Sequence, residues 1–158
     1  MALEIGQKAP EFKLKAETGE DFSLQTALQA GPVLLAFYPG DFTPVCTKQL
    51  CGYGSAYDEF KKFGVQVVGI SADETEKHRK FREKYAFPFP LLTDPGKALA
   101  KSFGLTSRFM FGAVSRANVL IGRDGTVLYK HVEALAVTHR SSLDMFKVLE
   151  ELKASGKI

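Results

Sequence analysis

Two largely apolar segments constrain the fold of this chain more than any other feature of its sequence. Residues 33–38 are all apolar, residues 65–70 contain one polar side chain, Gln66, and neither segment sustains the alternation of apolar and polar side chains that a half-exposed strand needs. Strands that are apolar on both faces are typical of parallel sheets covered by helices on both sides. Such a pair needs a long crossover, usually a helix, and residues 39–64 can supply it. We therefore predict an α/β fold.

The remaining segments extend this prediction to a mixed sheet flanked by helices. Turn and periodicity signals predict a hairpin at residues 12–24, strands at 90–93, 117–121 and 126–129, and helices at 43–62, 73–85, 94–103 and 142–153. Asp73 followed by Glu76 resembles a capping box, and Asp94 followed by Pro95 is a typical helix start. Because no repeat or linker-like tract divides the chain, we expect one domain over residues 1–158.

The composition excludes several classes of protein. Charged residues make up 25% and apolar residues 45% of the chain, which is the usual mixture of a globular domain. The net charge of +3 is small, so we expect neither nucleic-acid nor membrane binding. No apolar segment reaches the roughly 20 residues of a membrane span. The N-terminal stretch also lacks the features of a secretory signal, so we expect a cytoplasmic protein.

The chain contains two cysteines, Cys46 and Cys51. Two thiols are too few for a disulfide scaffold or for a structural zinc site made of four cysteines. The three histidines lack metal-ligand spacing, so we expect no bound metal and interpret His78, His131 and His139 as surface or packing residues. A pair of thiols remains sufficient for redox chemistry.

The surroundings of Cys46 favour a reactive thiol. The chain leaves a buried strand through Pro39 and Gly40, and Thr43 and Pro44 are typical first residues of a helix. Cys46 then falls in the first helical turn, where unpaired backbone N–H groups and the helix dipole stabilise a negative charge. We therefore predict that Cys46 is the reactive cysteine.

The motif Pro39-x-x-x-Thr43-x-x-Cys46 resembles the active-site signature of the peroxiredoxins of the AhpC/TSA superfamily. The resemblance extends to residues 6–12, to residues 37–39 and to Arg116 ahead of residues 119–125. Cys51, five positions after Cys46, is similar to the arrangement in the Q-type, or bacterioferritin-comigratory-protein, subfamily. The resemblance implies a thioredoxin-like fold: a central mixed β-sheet flanked by helices, with an N-terminal hairpin extension.

The resemblance also implies an activity and a role for each site residue. The protein would be an antioxidant enzyme that reduces hydrogen peroxide and organic hydroperoxides without metal, haem or flavin. Cys46 would attack the peroxide and become a sulfenic acid, Thr43 and Arg116 would bind and polarise the peroxide, and Pro39 would shield the thiolate. Cys51 would resolve the sulfenic acid as a disulfide, which thioredoxin or a glutaredoxin-like dithiol would reduce.

Two positions depart from the family pattern. Gln49 stands where glutamate is common, and its amide can accept a hydrogen bond from Arg116 but cannot form an ion pair with it. Gly122 stands where aspartate is frequent, and we expect a structural reason for it.

The spacing of the two cysteines in one helix predicts that a disulfide between them needs a conformational change. Helical positions five apart differ by about 140° around the axis and by about 7.5 Å along it. Cα atoms more than about 7 Å apart cannot be joined by a disulfide without backbone movement. Gly52 and Gly54 each weaken a helix interior by up to about 1 kcal/mol relative to alanine. We therefore hypothesise that residues 51–54 unwind when Cys46 is oxidised.

Several alternatives stay open at this point. Cys51 could be a small buried apolar residue, with an external thiol resolving Cys46. A disulfide oxidoreductase typically uses Cys-x-x-Cys, which this sequence lacks, and a non-enzymatic binding module or redox sensor is the other rival. The basic run at 77–82 is a solvated face or a docking surface for an acidic reductant. Residues 109–111 are core, a loop over the site or a dimer contact; we expect a monomer, with a weak dimer as the alternative.

Overall fold

A computed structural model describes residues 2–106, 112–133 and 139–158. Within these ranges seven strands form one sheet, in the order β2-β1-β5-β4-β3-β6-β7. The strands are β1 (Lys13–Ala16), β2 (Asp21–Ser23), β3 (Val33–Phe37), β4 (Gln66–Ser71), β5 (Leu91–Thr93), β6 (Ala117–Ile121) and β7 (Val127–Val132). The helices are α1 (Leu24–Leu28), α2 (Pro44–Ser55), α3 (Tyr57–Lys62), α4 (Thr75–Tyr85), α5 (Ala98–Ser102) and α6 (Ser142–Ala154), with a 3₁₀ helix at Pro95–Lys97.

The two apolar segments form the centre of the sheet, as predicted. Strands β3 and β4 pair in parallel from Val33 opposite Gln66 to Phe37 opposite Ile70. Strand β6 pairs antiparallel with the other edge of β3, while β5 continues the parallel arrangement beyond β4. The predicted N-terminal hairpin is present as β1 and β2. The α/β fold with a mixed sheet, flanking helices and an N-terminal hairpin is confirmed.

Both faces of β3 are covered, which explains its lack of alternation. All five of its residues are buried. Leu35 and Phe37 belong to a core cluster that includes apolar residues of α1 and α5. Leu34 and Ala36 face the opposite way, into a cluster with residues of α2, α3, α4 and α6. The second cluster contains Cys46, so the predicted reactive thiol lies at the edge of a closed apolar layer.

The single helix predicted for residues 43–62 is wrong, because the helix breaks at Ala56. Ala56 leaves the helical region with φ −102° and ψ 13°, so α2 ends at Ser55 and α3 starts at Tyr57. The break closely follows Gly52 and Gly54, the weakest helix formers of the segment. It directs Phe60 onto the edge of the Tyr53 ring, with ring centroids 5.7 Å apart.

The predicted capping box at Asp73 is also wrong. Glu74 occupies the N-cap position of α4 and makes no side-chain cap. The Asp73 carboxylate instead accepts hydrogen bonds from the Asp41 N–H at 2.7 Å and from the Ser71 hydroxyl at 2.9 Å. One donor from a distant loop and one from the end of β4 thus take the carboxylate that would otherwise cap α4.

The other predicted special positions have structural explanations. The helix predicted for residues 94–103 is divided, because Gly96 and Lys97 have positive φ: a 3₁₀ helix covers Pro95–Lys97 and α5 starts at Ala98. Asp94 accepts from the N–H groups of Leu99 and Ala100, which caps α5. A Cβ atom at Gly122 would lie 2.9 Å from Leu128 Cδ1, so close packing accounts for that glycine. None of the helices among the described residues is long and apolar enough to cross a membrane.

Candidate active site

Cys46 lies in the first turn of α2, directly after the loop that leaves β3. Thr43 is the N-cap residue with extended backbone (φ −76°, ψ 145°), and Pro44 is the first helical residue. The Cys46 side chain is fully buried (0% exposed). The unpaired N–H groups of this turn and the helix dipole stabilise negative charge at such a position.

Arg116 contacts the sulfur of Cys46, although 70 positions separate them in the sequence. Its Nη1 donates to Cys46 Sγ at 2.9 Å, and the arginine is only 4% exposed. The contact follows from the sheet, because Arg116 immediately precedes β6 and Ala117 pairs with Phe37 at the end of β3. A buried guanidinium thus provides the second source of positive potential at the sulfur.

Thr43 and Pro39 lie in the loop between β3 and α2, and both are exposed. The Thr43 hydroxyl donates to the Gly40 carbonyl at 3.0 Å. It makes no capping bond to α2, so Thr43 holds the predicted N-cap position without the side-chain cap that usually accompanies it. The structure therefore joins Cys46 and Arg116 directly, and it places Thr43 and Pro39 at the surface, in the chain segment that precedes Cys46.

Gln49 supports Arg116 in the way predicted for a neutral amide. Its Oε1 accepts from Arg116 Nη1 at 3.2 Å, on the same nitrogen that contacts Cys46. At its other end, Nε2 donates to the Tyr53 hydroxyl and to Asn118 Oδ1, both at 3.3 Å. The side chain is 1% exposed, so both ends of the amide need partners and find them.

Tyr53 is the centre of this polar network, a role that the sequence analysis missed. Its hydroxyl donates to the Arg140 carbonyl at 2.5 Å and accepts from Asn118 Nδ2 at 2.7 Å. Burial raises the pKa of Tyr53 to about 12, so the hydroxyl keeps its proton at neutral pH. The sequence feature that could have indicated this network is Asn118, because a buried amide inside an otherwise apolar strand needs a hydrogen-bond partner.

A second buried network anchors the loop before Cys46. The Asp41 carboxylate accepts from the Tyr38 hydroxyl at 2.6 Å and lies 2.6 Å from His78 Nδ1. His78 Nε2 lies 3.1 Å from the Leu92 carbonyl, which can only accept, so Nε2 carries a proton. Asp41 and His78 then share a further proton. His78 is a packing residue, as predicted, but its polar role was missed.

The same network involves the backbone of the loop. Asp41 donates its N–H to Asp73, so both its main chain and its side chain are fixed. Although burial alone raises the pKa of Asp73, hydrogen bonds from Asp41, Ser71 and Lys77 outweigh it and hold that pKa below its usual value. Burial and the neighbouring Asp41 charge raise the pKa of Tyr38 well above its usual value.

One group of side chains among the described residues has the spacing of metal ligands: Asp41, Asp73 and His78, with ligand atoms within 4.8 Å of one another. The Asp41 and His78 atoms are hydrogen-bonded at 2.6 Å, so the carboxylate and the imidazole satisfy each other. The three side chains therefore act as a hydrogen-bonded anchor for the loop before Cys46.

Cys51 is a half-buried free thiol inside α2. Burial raises its pKa, which keeps the thiol protonated in the folded helix. Next to it, a Cβ atom at Gly52 would meet no neighbour within 4 Å, whereas one at Gly54 would lie 3.3 Å from Pro88 Cδ. The two glycines therefore differ in their packing: a Cβ atom would press on a neighbour at Gly54 but not at Gly52.

The other residues singled out from the sequence lie away from the sulfur contact. In the basic run, Arg79 pairs with Glu76 and Glu83, and Arg82 pairs with Glu17. These internal pairs favour a solvated face over a docking surface. His131 Nδ1 lies 3.1 Å from Arg140 Nη2, and His139 Nδ1 lies 3.3 Å from the Arg140 carbonyl. Residues 109–111 lie outside the described part of the chain.

Comparisons with known proteins point to one family. The model of the AhpC/TSA family matches residues 5–130. Peroxiredoxin Q of Suaeda salsa, a chloroplastic protein, is 41% identical over 123 residues, covering 77% of this chain and 56% of the plant protein. The putative peroxiredoxin bcp of Coxiella burnetii is 39% identical over 132 residues, covering 80% of this chain and 87% of the relative.

A solved structure extends the likeness to the whole fold. Peroxidoxin BcpB of Mycobacterium tuberculosis superposes with a TM-score of 0.84 at 32% identity, covering 96% of this chain and 97% of the other. The chain spans little more than half the length of the plant relative it matches. The family match, the relatives and the Cys46–Arg116 contact together show that the chain belongs to the AhpC/TSA family, among the peroxiredoxins of the Q, or bcp, type.

Proposed function

We propose that this protein is a thiol peroxidase that reduces hydrogen peroxide and organic hydroperoxides to water and alcohols. The observation that carries the proposal is the Cys46 sulfur, buried in the first turn of α2 with Arg116 Nη1 at 2.9 Å. A helix end and a guanidinium aimed at one sulfur favour a thiolate, which is the nucleophilic form of cysteine. Membership of the peroxiredoxins supports the same chemistry.

In the first step, the Cys46 thiolate attacks one oxygen of the peroxide. An S–O bond forms, the O–O bond breaks, and the leaving oxygen takes up a proton to give water or an alcohol. Cys46 becomes a sulfenic acid. An unperturbed thiol is about 3% ionised at pH 7, so complete ionisation raises the rate only about thirtyfold. Arg116 and Thr43 supply the rest by aligning the O–O bond and stabilising charge on the leaving oxygen, with Pro39 shielding the sulfur.

In the second step, Cys51 attacks the sulfenic sulfur of Cys46. An S–S bond forms, the S–O bond breaks, and the leaving hydroxide departs as water with the proton of the Cys51 thiol. Positions five apart in a helix face different directions, so residues 51–54 must unwind first. Thioredoxin or a glutaredoxin-like dithiol then reduces the disulfide by exchange.

The test is peroxide consumption coupled to thioredoxin, measured for the wild type, Cys46→Ser and Cys51→Ser. Loss of turnover in Cys46→Ser, with a Cys46–Cys51 disulfide seen by mass spectrometry in the wild type, supports the proposal. Peroxide consumption by Cys46→Ser at the wild-type rate refutes it. If Cys51→Ser turns over with a small external thiol as fast as the wild type does, the one-cysteine alternative is correct.

Location and assembly stay predictions. The plant relatives are named as chloroplastic proteins, so the predicted cytoplasmic location needs a direct test by fractionation of the source cells. The predicted monomer is tested by sedimentation at several protein concentrations, where a weak dimer would show a concentration-dependent mass.

A further inference from the structure

The Tyr53 hydroxyl ties the far part of α2 to two elements outside that helix. Asn118, inside β6, donates to it at 2.7 Å, and the Arg140 carbonyl, just before α6, accepts from it at 2.5 Å. Gln49 Nε2, one turn earlier in α2, approaches at 3.3 Å. The hydroxyl thus has three partners, and two of them lie outside α2.

The proton positions in this network follow from its chemistry. The Arg140 carbonyl can only accept, so the Tyr53 hydroxyl must donate to it. The phenol oxygen then accepts from the amides of Asn118 and Gln49, and Gln49 Oε1 remains free for Arg116. Each amide has one defined orientation, which makes the network specific for a neutral residue at position 49.

The same contacts oppose unwinding near Cys51. Tyr53 is two positions after Cys51 and has no exposed surface, with its ring packed edge-on against Phe60. Unwinding of residues 51–54 has to withdraw the Tyr53 hydroxyl from Asn118 and Arg140. Until it does so, Cys51 stays on the helix at a distance that a disulfide cannot span.

We propose that Tyr53 is a positioning residue whose hydroxyl holds the Cys51 segment of α2 helical and thereby sets the rate of disulfide formation. The proposal rests on the proposed function, in which Cys51 resolves the sulfenic acid. The rate matters because the sulfenic acid has a competing fate. A second peroxide oxidises it to a sulfinic acid, releasing water or an alcohol, and this product cannot form the disulfide.

The first test is Tyr53→Phe, with Tyr57→Phe as the matched control. Tyr57 is a half-buried tyrosine whose hydroxyl makes no hydrogen bond to the described residues. Removing the Tyr53 hydroxyl leaves Asn118 and the Arg140 carbonyl without their partner in the folded helix, whereas unwinding exposes them to water. We expect disulfide formation about tenfold faster, equivalent to about 1.4 kcal/mol, and no change in the control.

Rapid quenching with thiol alkylation and mass spectrometry separates the steps. In Tyr53→Phe, half-maximal sulfinic acid should need about tenfold more peroxide than in the wild type, because resolution competes better. The bimolecular oxidation of Cys46 should stay within twofold of the wild type, since Arg116 keeps its contact with the sulfur. A loss confined to this first step would show that Tyr53 acts through Arg116 and would overturn the proposal.

Amide hydrogen exchange of the reduced protein gives a readout that needs no chemistry at Cys51. Amides of residues 48–54 should exchange about tenfold faster in Tyr53→Phe, while those of α6 keep their protection. Asn118→Ala removes one donor to the Tyr53 hydroxyl and one acceptor of Gln49, but it leaves the Arg140 contact, so it should shift both readouts in the same direction by less.

The outcomes separate this inference from the proposed function. If the wild type forms no Cys46–Cys51 disulfide, the proposed function fails and the role of Tyr53 fails with it. If the disulfide forms and Tyr53→Phe changes neither its rate nor the exchange of residues 48–54, the proposed function stands and the role of Tyr53 is overturned.

Discussion

The two sides of Cys46 are held in place by different chemistry. Before the cysteine, Asp41 and His78 form a fully buried, proton-sharing pair. After it, Gln49, Tyr53 and Asn118 form a neutral network of amides and a phenol. Removing one partner of such a pair leaves the other buried and unsatisfied, which costs about 1–3 kcal/mol for a neutral group and about 3–5 kcal/mol for a charged one. A neutral hydrogen bond contributes about 0.5–1.5 kcal/mol. The loop before Cys46 is therefore held more strongly than the helical segment after it.

Backbone strain adds to the difference. Phe42, between Asp41 and Thr43, has φ +65°, a left-handed conformation that costs a non-glycine residue of order 1–3 kcal/mol. It persists because Asp41 is fixed on one side and the Phe42 ring packs on Phe81 at 4.9 Å. On the helix side, Gly52 and Gly54 lower the cost of leaving the helical state instead. The fold therefore stabilises a strained loop before Cys46 and contains a weak helical segment after it.

The largest expected effect comes from breaking the loop anchor. Asp41→Ala leaves His78 and Tyr38 without their acceptor, so we expect a loss of about 3–5 kcal/mol in the free energy of unfolding and slower oxidation of Cys46. Asp41→Asn is the matched control, because its amide can still accept from Tyr38 and donate to a neutral His78. Chemical denaturation and quenched-flow kinetics measure both, and equal losses in the two variants would contradict the geometric role.

Alkaline pH should act on the helix side through the Tyr53 phenol. The pKa of Tyr53 is raised to about 12 by burial, above the ordinary value of 10, so its protonated form stabilises the fold. That contribution is complete below about pH 10 and is lost between pH 10 and 12. The roughly tenfold slower exchange of residues 48–54 in the wild type relative to Tyr53→Phe should vanish over this range. A difference that persists at pH 12 would contradict the role of the phenol proton.

Gly52→Ala should stiffen the helix without disturbing its packing. Because a Cβ at position 52 meets no neighbour within 4 Å, alanine adds up to about 1 kcal/mol of helix stability. We expect disulfide formation about fivefold slower and more sulfinic acid at a given peroxide concentration. Gly54→Ala is the contrasting variant, since its Cβ would press on Pro88 at 3.3 Å and offset the gain. An unchanged resolution rate in Gly52→Ala would argue against unwinding at this segment.

The smallest expected effect is acid sensitivity of the loop. Hydrogen bonds hold the pKa of Asp73 below its usual value, so its carboxylate stabilises the fold above about pH 4, and this contribution is lost as pH falls through the lowered pKa. Asp73→Asn should reduce stability by up to about 1 kcal/mol at pH 7 and by less at pH 3. Denaturation at both pH values checks it, and a larger loss at pH 3 would reverse the assigned sign.

Much of this arrangement could be predicted from the sequence because its signals are local. The apolar runs predict the central strands, and the Thr43-Pro44 helix start places Cys46 in the first turn of α2. The hydrogen bond between Gln49 and Arg116 was predicted from the family pattern and is present at 3.2 Å.

The missed features all depend on partners that are distant in sequence. Tyr53 contacts Asn118 and Arg140, which are 65 and 87 positions away in the sequence, and no local pattern indicates either contact. Asp73 has the spacing of a capping residue, but the Asp41 N–H from another loop takes its carboxylate. Tertiary contacts override the local preference in both cases.

Oxidation should release the helix side of Cys46 and leave the loop side in place. Amide hydrogen exchange, compared between the reduced protein and the Cys46–Cys51 disulfide form, measures both sides at once. We expect residues 48–54 to lose their protection on oxidation, while residues 40–43 and α4 around His78 keep theirs. Loss of protection on both sides, or continued protection of residues 48–54 in the disulfide form, would contradict this expectation.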